Sequence, residues 1–108
     1  MTTYTITDIS FNAEYQCAEG QLILDCAEEN GLDYPFSDRA GASASSVALI
    51  IKGTVIDDGT FISEQARAAG FFHTDSSYPT SDLTIATLGI ELLLQEYEAN
   101  PSEWVFQL

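Results

Sequence analysis

Side chains able to do chemistry are few in this chain, and they gather in two places. His73 is the single histidine, and Asp75 stands two residues beyond it. A histidine near a carboxylate is raw material for acid–base work, but no nucleophile here stands in a recognisable catalytic motif. An enzyme is therefore not expected. The second place is the stretch Tyr34-Pro35-Phe36-Ser37-Asp38-Arg39-Ala40-Gly41-Ala42-Ser43-Ala44-Ser45-Ser46. Aspartates and serines in such a turn cap exposed backbone N–H groups. Cys17 and Cys26 lie outside this stretch and do not form a metal-type pair. They are expected as reduced thiols and small buried hydrophobes, with Cys26 unreactive on the core face of its helix.

The elements that must carry these residues are legible from periodicity. Tyr4 to Ile9 alternates with period two and predicts a first strand, and Phe11 to Cys17 alternates again as its hairpin partner. From Leu22 to Asn30, Leu22, Ile23, Cys26 and Ala27 share one helical face, and Gly31 is a natural stop. Val47 to Ile51 and Thr54 to Ile56 read as strands, with Asp57-Asp58-Gly59 as a turn. Ser63 is expected to cap a short helix over residues 64–69. Phe71-Phe72 resumes extended chain, and Leu83 to Leu88 is expected as the final strand. Ile90, Leu93, Leu94 and Tyr97 recur at helical spacing, and Asn100-Pro101 ends that pattern.

Composition narrows the function classes. With 108 residues and 45% hydrophobic content, the chain suits one compact domain. The longest apolar run, Val47 to Ile51, is far too short to span a bilayer. Met1-Thr2-Thr3-Tyr4 has neither the basic start nor the apolar core of a signal peptide. Seventeen acidic residues against three Lys+Arg give a net charge of −14. That balance argues against nucleic acid and anionic membranes, and favours a basic protein partner.

The frame Pro35-Phe36-Ser37 followed by Arg39-Ala40-Gly41-Ala42 resembles the cluster-binding loop of plant-type [2Fe–2S] ferredoxins, which reads P-[YF]-S-C-R-A-G-A-C-x-x-C. Ile23-Leu24-Asp25 with Ala27-Glu28-Glu29, then Gly53-Thr54-Val55 and Tyr78-Pro79-Thr80-Ser81-Asp82, extend the resemblance over roughly residues 4–94. It implies an α+β fold of the β-grasp (ubiquitin-like roll) type, residues 1–94, with a C-terminal helical and apolar extension over residues 95–108. The family's four cysteine ligands fall on Asp38, Ser43, Ser46 and Asp75. All four positions carry oxygen side chains, whereas iron in these clusters needs soft thiolates. Neither a cluster nor another bound metal is expected.

Three readings of this vacated loop stand side by side. The four oxygen side chains hydrogen-bond backbone amides that would otherwise point at sulfur. Alternatively they bind a hard cation such as Ca²⁺ or Mg²⁺, with His73 nearby. In the third reading, Asp38 and Asp75 restore about the −2 charge of an oxidised cluster and so keep a ferredoxin's electrostatic face.

The resemblance also implies docking residues, since ferredoxins meet reductases and photosystem I through acidic residues and one aromatic. Here these would be Glu28, Glu29, Asp57, Asp58 and Phe61. Beyond the family body, Trp104, Phe106 and Leu108 are expected as anchors in a partner's groove. The expected function is a redox-inactive ferredoxin-like binding or regulatory subunit of a photosynthetic or other ferredoxin-dependent complex, located in cytoplasm or stroma. The partner would offer a basic docking surface or a hydrophobic groove. The alternatives are a cation or small-ligand sensor at Asp38 and Asp75, and a true electron carrier.

Overall fold

The computed structural model describes residues 2–35 and 41–104. Alternating residues in β1 (Thr3–Asp8) and β2 (Ala13–Ala18) turn Ile6, Tyr15 and Cys17 inward, and the two strands pair as an antiparallel hairpin. Helix α1 (Ile23–Glu29) buries Ile23, Leu24, Cys26 and Ala27, the face its apolar spacing marks out. Strands β3 (Val47–Lys52), β5 (Phe71–His73) and β7 (Leu83–Ala86) complete a sheet in the order β2-β1-β7-β3-β5. Within it β1 and β7 run parallel and the other neighbours antiparallel. A second ribbon joins β4 (Val55–Asp57) to β6 (Ser77–Pro79). This architecture is the α+β β-grasp that the resemblance implies.

The sheet is covered on both faces, which explains the unbroken apolar run in β3. Ala48 and Ile50 pack with Ile6, Leu24, Phe72 and Ile85 under α1. Val47 and Leu49 point to the opposite face, where Phe71, Ile62 and Ala66 meet Ile90, Leu94 and Tyr97. A strand buried on both sides loses the polar half of the alternation. The second face is closed by α2 (Glu64–Ala68) and α3 (Ile90–Ala99). The expected boundary after residue 94 thus falls inside α3, and the extension begins as a continuation of that helix. Each fully buried Ile or Leu contributes about 1.5–3 kcal/mol.

Three details differ from the sequence expectation. Ser77–Pro79 is a strand, although three residues ending in proline are too short to show a strand pattern. The last strand stops at Ala86, because the N–H groups of Thr87 and Leu88 donate to Ser10 Oγ at 2.9 and 3.2 Å instead of to a ladder partner. Cys17 and Cys26 are not free thiols: they form a disulfide, with Cα atoms 5.5 Å apart. Strand alternation turns Cys17 to the core and the helical face turns Cys26 to the same core, so two residues expected as separate hydrophobes meet. Among the described residues, no helix is long and apolar enough to cross a membrane.

Candidate functional site

Strand register brings the chemically interesting segments together. Val47 lies opposite His73 in the β3–β5 ladder, so the Ser43–Ser46 turn ends beside the turn that follows β5. Asp57 lies opposite Ser77, so the end of β4 meets that same turn from the other side. Two backbone links seal the junction. Thr74 donates its N–H to the Ser46 carbonyl at 2.9 Å, and Thr60 and Phe61 donate theirs to the Gly41 carbonyl at 2.8 and 3.0 Å.

At the hydroxyl positions the chemistry is local. Ser43 Oγ accepts from the Ser45 N–H at 3.2 Å and so caps the 3₁₀ turn Ala44–Ser46. Ser46, buried, donates its hydroxyl to the Ser43 carbonyl at 3.4 Å. Asp75 behaves differently. It is 2% exposed, and among the described residues neither carboxylate oxygen has a hydrogen-bond partner. The expectation that it ties up backbone amides does not match its surroundings. Asp38 lies outside the described residues.

The best-connected carboxylate is Asp57, which sequence reasoning assigns to the acidic docking face. Its side chain is only 3% exposed. One oxygen, Oδ1, accepts from the Gly59 N–H and the Ser76 hydroxyl, both at 2.9 Å. The other, Oδ2, takes Arg67 Nη1 at 2.6 Å, His73 Nδ1 at 2.9 Å and the His73 N–H at 3.1 Å. An ionised carboxylate only accepts, so His73 carries its proton on Nδ1. Burial pushes the Asp57 carboxyl up, but the His73 bond, the Gly59 N–H, the His73 ring charge and the Ser76 hydroxyl hold it well below the usual carboxylate range. Asp57 therefore works inside the molecule and not on a docking face.

This network shapes the loop. Gly59 packs flat on the His73 ring, where a β-carbon would strike Nδ1, Cγ and Cε1. Gly41, at φ +68°, has no room for a β-carbon between Ser76 and the Gly59 backbone. Gly41 is thus seated on a stack of Gly59, His73 and Asp57. Sequence reasoning missed Arg67 and Ser76 as parts of this stack. The Asp57-Asp58-Gly59 turn did carry a signal, since an aspartate bonding the N–H two residues on is how such turns are built.

The remaining expected docking residues fall into three groups. Glu28, Glu29 and Asp58 are exposed, and Phe61 keeps 43% of its surface while its backbone is tied to Gly41. Glu28 and Glu29 close the C-terminal end of α1, where the helix dipole disfavours negative charge, so helix stability does not account for them. Trp104 packs edge-on against Tyr97 with ring centroids 6.1 Å apart, on the second core cluster. It is a self-packed residue in this structure and not a projecting anchor. Phe106 and Leu108 lie outside the described residues.

A [2Fe–2S] cluster, the group this fold implies, can be tested against the donors present. Ser43 and Ser46 are hydroxyls already used by their own turn, and Asp75 offers hard carboxylate oxygen. Both cysteines of the chain are bound to each other, away from the loop. Among the described residues, no group of three or more His, Cys, Asp or Glu is placed to hold a metal ion. The donor set does not fit a thiolate-bound cluster.

Comparison with known proteins agrees with the fold. No family model matches the chain. The vegetative ferredoxin of Trichormus variabilis is 36% identical over 92 residues, 81% of this chain and 93% of that protein. Ferredoxin-2 of Leptolyngbya boryana is 41% identical over 70 residues, 64% of this chain and 71% of its own length. Among solved structures, pectocin M2 superposes with a TM-score of 0.83 at 38% identity. That match covers 94% of this chain but only 39% of the pectocin M2 chain. With a ferredoxin relative matched over nearly its full length and a shared fold, the chain belongs to the plant-type ferredoxin family.

Proposed function

We propose that this chain is a recognition module, a ferredoxin body without a redox centre that a ferredoxin-binding protein docks on. The observation carrying this reading is the placement of sulfur. Every cysteine of the chain is in the Cys17–Cys26 disulfide, and the described ligand positions hold Ser43, Ser46 and Asp75. The described end of the loop is nonetheless seated in place, with Gly41 against Ser76 and Gly59 beside the Asp57 network. Around it stand Phe61 and Asp58, with Glu28 and Glu29 on α1 adding to a net charge of −14. A basic docking surface is the complement to such a face.

The cyanobacterial relatives support a ferredoxin-dependent electron-transfer system as the setting, with the chain as a binding or regulatory subunit. The pectocin M2 match supports a second use for a body of this shape, as part of a longer polypeptide. No catalytic role is assigned, because His73 is fully buried behind Gly59 and Asp57.

The test is competition. The chain is titrated into a cyanobacterial ferredoxin reductase by calorimetry, with and without saturating cluster-bearing ferredoxin. Binding that ferredoxin displaces, and that weakens with salt, supports the module; no binding, or binding that ferredoxin leaves untouched, removes this reading. A second reading, a hard-cation site, rests on the unpartnered Asp75 carboxylate. A melting temperature that rises with millimolar Ca²⁺ in the wild type and not in Asp75→Asn would favour it.

A further inference from the structure

We infer that this chain is finished in an oxidising compartment, and that Cys17 and Cys26 are the site on which a thiol-oxidising protein acts during its maturation. Both residues are 0% exposed, and their Cα separation of 5.5 Å is that of ordinary disulfides. Cys17 sits on β2, the edge strand that pairs only with β1, and Cys26 on α1. The cross-link fastens the edge of the sheet to the helix above it. Disulfides of this kind persist where thiols are not kept reduced.

A second observation points the same way. The family's thiolate positions are all oxygen here, and no free cysteine remains. A chain retaining four ligand cysteines beside this pair would have six, which allow 15 pairings, whereas two allow one. With oxygen at the ligand positions and only this pair of cysteines, the chain has a single possible intramolecular oxidation product. The inferred compartment is one of export or an oxidising lumen, a setting other than the cytoplasm or stroma that the sequence suggests.

In the step itself two Sγ–H bonds break and one Sγ–Sγ bond forms. Two electrons and two protons pass to a disulfide-bearing oxidoreductase, which leaves as a dithiol. Because both sulfurs are enclosed in the native fold, the oxidant must reach them before β2 and α1 close over them.

The inference does not depend on which partner the surface binds. Cells that naturally produce the chain, and their medium, are quenched in acid and treated with a polyethylene-glycol maleimide under denaturing conditions. The expected result is an unmodified chain, lighter by two hydrogens than its dithiol, that gains two adducts only after reduction. A chain from the same source that takes up two adducts without reduction overturns the inference. The same trapping on full-length chain expressed in a bacterial cytosol and in a periplasm should give the dithiol in the first and the disulfide in the second. Dithiol in both would contradict it as well.

Discussion

Asp57 shows how far a single side chain can be misread from its letter. On sequence it is one acid among seventeen and a natural part of an acidic face; in the fold it accepts five hydrogen bonds from four residues. Only the bond from the Gly59 N–H is local; Arg67 and His73 reach Asp57 from α2 and β5, which no local pattern reveals. Asp57→Asn should cost about 2–3 kcal/mol by urea unfolding, since Arg67 loses its counter-charge and His73 its charged acceptor, while Arg67 stays partly solvated. The pH dependence has a definite sign. The fold holds this carboxyl below its unfolded value, so its contribution is complete above roughly pH 4 and is lost as pH falls through the lower folded value. Wild type should therefore lose stability toward acid more steeply than Asp57→Asn; parallel acid curves would rule the network out. Asp75 is the opposite case, a buried carboxylate with unpartnered oxygens. Asp75→Asn is expected to leave stability unchanged or raise it by about 1 kcal/mol, and a clear loss in the same unfolding experiment would show that the charge is structurally paired.

At the scale of elements, what periodicity can see was legible and what depends on distant pairing was not. The α1 face, the α3 face and the apolar β3 run all carry strong local patterns, and each forms as read. Ser77–Pro79 has no pattern of its own and becomes a strand only because β4 offers it a ladder. The disulfide was hidden for the same reason: Cys17 and Cys26 lie on two elements whose packing angle no spacing rule gives. A loop this short should contribute about 2–3 kcal/mol, so Cys17→Ser/Cys26→Ser is expected to lower the unfolding free energy by that amount. The tail is a similar correction. Trp104 covers Tyr97 and the second core, so Trp104→Ala should cost about 1–3 kcal/mol and lower the melting temperature of the isolated chain. A Trp104→Ala chain that melts like wild type would return this residue to the role of a partner anchor.

Taken whole, the molecule keeps a ferredoxin's body and acidity and the loop frame in its sequence, while its sulfur lies at the junction of β2 and α1 and not in the loop. The family and its fold were readable because the loop frame and the Tyr78 to Asp82 segment survive without the ligands they once accompanied. The internal use of Asp57 and the oxidation of both cysteines were not, since each arises only when separate segments meet. With a charge of −14, association with a basic partner should weaken steeply with ionic strength, which the calorimetric titration in low and high salt would read directly. On the proposed reading, this body does not hold the cluster its family is built around. Purified chain, incubated anaerobically with ferrous iron, sulfide and a thiol and then desalted, should retain neither iron nor acid-labile sulfide and show no visible absorption. Retention of about two irons and two sulfides per chain, with a visible band, would contradict the account.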